Sequence, residues 1–279
     1  HHGPVLYFAA LPFCRATSAT FAGTSEWNYR LVPVVFSCLT LLLMTGLGLR
    51  RGGGLFDNRA GLFCALALTA VSPAMVYYSR FFIQESMLVT FLTGMLVCAV
   101  QYARACGSRG RSPSRSGNEV GSADMEGGCR REPRRAACFA AGFGVFVGLA
   151  LATKETVVLS FAAMTLAALV AVGPRRLLNA WNARHAALAA GAAALVAVLF
   201  FSSFFTYPHG VYDALFATVS AYVKRATAVP EHQHPWDFYL KILFWFKYRR
   251  GPVWSEAGLL VPGLLAVAAA AWPRRQGDA

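Results

Sequence analysis

Two short stretches of the chain carry charge where the surrounding sequence carries almost none. Arg80 and Glu85 stand in Tyr77-Tyr78-Ser79-Arg80-Phe81-Phe82-Ile83-Gln84-Glu85, and Lys154 and Glu155 are the only charged residues of Ala152-Thr153-Lys154-Glu155-Thr156. Each stretch separates two long apolar runs. An adjacent cation and anion in so tight a turn has two readings. The long side chains can reach out to the water interface and anchor their helices. Alternatively the cations can hold a lipid-linked phosphate, since Arg and Lys bind phosphate oxygens through charge-assisted hydrogen bonds. Ionisable groups at membrane depth are costly and point to function. A third set lies in Glu231-His232-Gln233-His234-Pro235-Trp236. His232 and His234 have the chemistry of metal ligands, but no third ligand stands at a diagnostic spacing, so no metal is expected.

The elements that position these residues follow from composition. Of 279 residues, 56% are hydrophobic and only 14% charged, with a mean hydropathy of +0.46. Soluble domains run near ~25% charged residues, so an ordinary water-soluble domain is excluded, and so is intrinsic disorder. A bilayer crossing takes about 20 apolar residues. Residues 31–49, 60–79, 86–103, 136–153, 156–174 and 186–207 contain no charged residue, and 253–272 contains only Glu256. The expected fold is therefore all-α: a polytopic membrane protein with about seven transmembrane helices and interfacial helices on the outer face, in one domain over 1–279. Residues 4–13 are too short to cross and are expected to lie in the interface.

The net charge of +13 does not indicate nucleic acid, because the basic residues fall between the apolar runs rather than on one soluble face. Residues 50–59 hold three arginines, 104–135 eight, 173–185 three, and the tail Arg274 and Arg275. Positive-inside bias puts these segments on the cytoplasmic side. The Gly-, Ser- and Arg-rich stretch 104–135 reads as a disordered cytosolic loop. The outer side then receives Arg80, Glu85, Lys154, Glu155 and the segment 208–252. Within that segment, residues 211–225 read as an amphipathic helix lying on the membrane and the run from Trp236 as an aromatic belt. Gly144, Gly148 and Ala152 have the small-residue spacing that lets membrane helices pack closely. The seven cysteines show no metal or haem spacing and read as free thiols. The first residue is His and no signal peptide precedes it, so at least one membrane span is expected upstream of it.

Several motifs resemble those of C-type glycosyltransferases. His2-Gly3-Pro4-Val5-Leu6-Tyr7 is similar to the Lys/His-Pro-Pro-Leu-x-Tyr element that closes the first outer loop, and Arg30-Leu31-Val32-Pro33 to the start of the next span. Ser79-Arg80 with Glu85 resembles a Ser-Arg…Asp turn, and Gly148-Leu149-Ala150-Leu151-Ala152-Thr153-Lys154-Glu155 a Gly-Leu-Ala…Thr-Lys-Gly element. The superfamily includes dolichyl-phosphate-mannose–protein mannosyltransferases and lipid A aminoarabinose transferases. Tyr-Tyr-Ser-Arg-Phe-Phe at 77–82, His-Pro-Trp at 234–236 and Gly-Pro-Val-Trp-Ser-Glu at 251–256 most resemble the flippase activity-associated membrane proteins of archaeal N-glycosylation. Glu85 stands where Asp is usual, and Glu155 where Gly is common. The resemblance puts the catalytic acidic residue shortly before residue 1, so no catalytic residue is assigned within the chain.

The resemblance implies a multi-pass cell-membrane protein that transfers a sugar from a polyprenyl-phosphate donor on the outer face. His2, Arg80 and Lys154 would clamp the phosphate, Glu85 and Glu155 would orient the cations or bind sugar hydroxyls, and His232 and His234 would roof the site. The partners are the polyprenyl-phosphate-linked sugar and membrane lipid, without nucleic acid, cofactor or metal. The alternative is a non-catalytic factor that helps lipid-linked sugars cross the bilayer. A secondary transporter fits less well, because its charges belong near the midplane. A shared site requires Arg80/Glu85, Lys154/Glu155 and His232/His234 to meet around one outward-opening cavity.

Overall fold

The computed structural model describes residues 3–17, 23–48, 59–106, 133–175, 182–217, 220, 235–247, 249–251 and 253–271. The chain forms α1 (Val5–Thr17), α2 (Glu26–Gly48), α3 (Arg59–Val71), α4 (Pro73–Tyr78), α5 (Glu85–Cys106), α6 (Pro133–Leu151), α7 (Val157–Val172) and α8 (Ala183–Phe201). A short α9 (His209–Tyr212) runs into a π-helical turn at Asp213–Ala217, and then come α10 (Phe238–Phe244), β1 (Phe246–Lys247), β2 (Val253–Trp254) and α11 (Ala257–Ala271). The protein is an all-α, multi-pass membrane protein. Among the described residues, four helices are long and apolar enough to cross a bilayer: Glu26–Leu47, Glu85–Cys106, Arg134–Leu151 and Ala183–Phe201.

The other three expected crossings are shorter or interrupted. Residues 60–79 do not form one helix, because Ser72-Pro73 divides them into α3 and α4. Proline has no N–H to continue the ladder, and Ser72 caps the new start by accepting the Met75 N–H. Residues 156–174 yield the sixteen-residue α7, which stops at Gly173 with φ +87°. Residues 253–272 begin as a strand, antiparallel to β1 with Phe246 opposite Trp254, and turn helical only at Ala257. The expected amphipathic helix at 211–225 is seen as α9 and the π-helical turn, and past Ala217 only Ser220 lies within the described residues. Apolar residues at every fourth position outrun a 3.6-residue period, and a π turn widens the repeat. The basic segment begins and ends inside helices: Arg104 is in α5, Arg134 and Arg135 are in α6, and 107–132 lies outside the described residues. Cys14, Cys38, Cys64, Cys98 and Cys138 are free, whereas Cys106 is disulfide-bonded, which departs from the all-thiol expectation.

α6 packs against α5 on one side and α8 on the other, α5 also packs on α2, and α1 packs on α2. Small residues set the separations. A methyl group at Gly94 of α5 would run into the Phe146 ring of α6. On the other face of α6, a Cβ at Gly144 would lie 2.0 Å from the Ala189 carbonyl oxygen and one at Gly148 would lie 2.6 Å from that of Ala193. Gly144 and Gly148 of the expected small-residue spacing therefore face α8, whereas Ala152, just past α6, meets Gly3 and Val5. These pairs also give direction: α6 and α8 run parallel, whereas Tyr102 against Ala136 and Ala140 makes α5 antiparallel to α6. One end of the bundle thus collects Gly3, Glu85, Thr153 and Phe201. The opposite end collects Gly46, Tyr102, Arg104 and His185.

The main apolar core lies toward the first of these ends. Val5, Leu6, Ala10 and Cys14 of α1 pack with Val32, Met87, Phe91, Ala150, Ala152 and Val157. Phe8 adds an edge-to-face contact to both Phe200 and Phe204. Phe204 lies in a reversal where Ser203, Phe204 and Phe205 all have positive φ (49°, 57° and 67°), a left-handed conformation that non-glycine residues hold only where neighbours enforce it. The Tyr207 N–H to Ser202 carbonyl bond closes that turn.

Gly144→Val should overpack the α6–α8 contact and destabilise the detergent-solubilised protein by about 1–3 kcal/mol. Gly191→Val is the control, since a Cβ added there meets no atom of a neighbouring described element within 4 Å. Thermal unfolding of both variants checks this, with a lowered Tm expected only for the first.

Candidate functional site

The first charged turn is built by the helix break and by residues 79–84 after α4. α4 closes with the Ser79 N–H on the Met75 carbonyl, and the Arg80 N–H on the Tyr77 carbonyl continues the turn. The Ile83 N–H bonds back to Phe81 at 2.8 Å, and Phe82 packs edge-to-face on Tyr29 of α2 with ring centroids 5.3 Å apart. Buried Gln84 gives its carbonyl to the Leu88 N–H, so α5 starts at Glu85. A carboxylate in the first turn is favoured there by the unpaired amides of the helix start.

The second turn is just as constrained. Ala152 and Thr153 are fully buried, the Thr153 hydroxyl donates to the Leu149 carbonyl at 2.6 Å, and the Lys154 N–H donates to Ala150. The start of the chain seals it from outside. The Gly3 N–H donates to the Thr153 carbonyl at 3.1 Å and the Val5 N–H to Ala152. Only glycine fits at position 3, because a Cβ would lie 2.0 Å from the Ala152 carbonyl oxygen. This close approach sets Gly3 against the residue that precedes Lys154.

The two turns meet through their charges. Lys154 Nζ lies 2.6 Å from Glu85 Oε1, across 69 residues of sequence, with the two side chains 24% and 30% exposed. The other carboxylate oxygen, Glu85 Oε2, and the neighbouring Ser86 hydroxyl are both buried without a hydrogen-bond partner. Arg80 is exposed, and five residue steps place its Cα within ~18 Å of that of Glu85 even for an extended chain. Glu155 is half-buried. Among the described residues neither Arg80 nor Glu155 has an ion-pair partner. His2, His232 and His234 lie outside the described residues.

One carboxylate does more than its isolated position suggests. Glu256, the lone acid of the last apolar run, reaches Ser72 and Ala74 at the α3–α4 break. No local signal could have joined residues 182 and 184 positions apart. On the 202–247 side, the Tyr207 hydroxyl donates to Asp213 Oδ2 at 3.0 Å, and that bond pushes the phenol's pKa up. Lys241 at 2.6 Å holds the Asp237 carboxyl below its usual range through a hydrogen bond.

Residues 7–117 match the family model of dolichyl-phosphate-mannose-protein mannosyltransferase. The matched stretch runs from α1 past the end of α5, including Arg80 and Glu85 but not Lys154. Neither a curated protein nor a solved structure matches the chain. Over this stretch the chain is thus similar to a membrane glycosyltransferase family of the C type.

If the Glu85–Lys154 contact is an energetic link, a double-mutant cycle detects it. Glu85→Gln and Lys154→Met should each destabilise the protein, and the double variant should lose less than the two together, by about 0.5–3 kcal/mol. Denaturation in detergent supplies the three differences. Strict additivity would mean the contact contributes nothing.

Proposed function

We propose that the chain acts as an integral-membrane glycosyltransferase that takes a sugar from a polyprenyl-phosphate donor at the end of the bundle bearing Arg80 and Lys154. The observation that carries this reading is the Lys154–Glu85 pair, which links two turns that are remote in sequence. The family match over the first of those turns supports it. That end is the outer face under the positive-inside rule.

An ammonium group has three donors, and Glu85 occupies one of them. Lys154 is thereby held in place with donors left over for a phosphate. Arg80, exposed on the adjacent turn, offers a planar fork that matches phosphate oxygens. His2 would complete the clamp next to Gly3. As the bond between sugar and phosphate breaks, negative charge grows on the leaving phosphate, and fixed cations favour that charge more than the ground state. Glu85 orients Lys154, Glu155 is available to sugar hydroxyls, and His232 and His234 are assigned to the roof. The flippase activity-associated subfamily remains the finer resemblance.

Arg80→Ala and Lys154→Ala should each lower sugar transfer by about 10²–10³-fold while leaving membrane insertion unchanged. The assay is release of free polyprenyl phosphate from a polyprenyl-phosphate sugar by the full-length protein in vesicles supplied with a hydroxyl acceptor for the sugar. Wild-type transfer by either variant would remove that residue from the clamp. Movement of the donor across the vesicle bilayer with no release of free polyprenyl phosphate would replace transfer with assisted translocation.

A further inference from the structure

The start of α4 has a complete account of its amides, and one side chain from the far end of the chain supplies part of it. Pro73 has no N–H. The Ala74 N–H donates to Glu256 Oε1 at 2.5 Å, the Met75 N–H to the Ser72 hydroxyl at 3.3 Å, and the Val76 N–H to the Ser72 carbonyl at 2.9 Å. The Ser72 hydroxyl in turn donates to Glu256 Oε2 at 2.8 Å, with Ser72 only 4% exposed. Both oxygens of Glu256 are therefore spent on the helix break.

The same residue is fixed from its own side. The Glu256 N–H donates to the Leu243 carbonyl of α10, and its carbonyl accepts from Leu259 and Leu260 in the first turn of α11. Next to it the Ser255 hydroxyl donates to the Phe244 carbonyl. Glu256 is thus a junction of α4, α10 and α11. α4 is six residues long, about 9 Å, and leads straight into Ser79-Arg80. A carboxylate among apolar helices is costly unless both oxygens are satisfied, so the junction resists being taken apart.

We infer that Glu256 is a positioning residue for the phosphate-binding turn: it fixes the pivot of α4 and so sets where Arg80 is presented. This rests on the clamp reading for Arg80, but the attachment of α4 can be measured separately from it. It also means that the segment carrying the aromatic residues of α10 is mechanically joined to the Arg80 turn.

Two readouts on the full chain in detergent test the inference. In hydrogen exchange followed by mass spectrometry, Glu256→Ala should speed exchange at residues 74–80 by about tenfold or more while α5 stays protected. In binding of farnesyl phosphate, used as a short lipid phosphate, Glu256→Ala should weaken affinity by about tenfold to hundredfold. Adding Arg80→Ala to that variant should cause little further loss, since both changes remove the same contact. Glu256→Gln keeps an acceptor for Ala74 and should restore most of the binding. Unchanged exchange at 74–80, or losses from the two substitutions that multiply in full, would overturn the positioning role. Farnesyl phosphate binding that is absent, or indifferent to Arg80→Ala, would instead defeat the clamp, and the exchange data would still decide the attachment. Should Glu256→Ala not fold, Glu256→Asp, one methylene too short to reach both Ser72 and Ala74 while leaving the Ser72 cap on Met75 in place, must raise exchange at 74–80.

Discussion

Close approach of backbones along α6 is the constraint on which the rest of the arrangement depends. Gly144 and Gly148 let the Ala189 and Ala193 carbonyls come so near that a side chain at either glycine would collide with them, and Gly94 does the same for the Phe146 ring on the opposite face. Contacts of this kind tolerate no slip in register, because a shift of one residue would drive a Cβ into a backbone atom. With α5 and α8 locked on α6, the turn ahead of α5 and the turn after α6 are brought to the same level. The Glu85–Lys154 pair is available only because of that alignment.

Several polar groups within the apolar layer are answered by a neighbouring helix. Thr40 and Thr90 share a bond 2.8 Å long between α2 and α5, and Thr90 also reaches the Phe36 carbonyl. At the other end, Gln101 and Arg104 of α5 donate to the last carbonyls of α2 at Gly46 and Leu47, where a cation is favoured at a helix C-terminus. Tyr102 accepts from the Asn182 N–H and faces His185 Nδ1 at 3.2 Å, tying α5 to the first turn of α8. Where lipid replaces water, such bonds have few competitors, so they fix helix rotation as well as adding stability.

Much of this was legible in the sequence because hydropathy and charge are local. The all-α membrane class, the small-residue face of α6 and the two charged turns needed only short windows. The Ser72-Pro73 break was written in the sequence too, but a reading based on uncharged length passes over it, since neither residue carries charge. The seat of Gly3 against Ala152 and the reach of Glu256 to Ser72 were not legible. Both depend on which helix ends come together, and composition says nothing of that. The β1–β2 pairing was hidden for a related reason: two-residue strands leave no alternation to detect.

The separations across which the site is tied together also bear on when it can form. Membrane helices are made and inserted from the N-terminal end, whereas Glu85 must wait 69 residues for Lys154 and Ser72 must wait 184 for Glu256. Gly3 is made before α6, and its seat on the α6–α7 turn exists only once that turn has been added. The segment through α5 is therefore made with a carboxylate and a helix break still lacking their partners. The site is a late product of biogenesis, closed by rearrangement of helices already in place, and α11 is the last described piece to reach it.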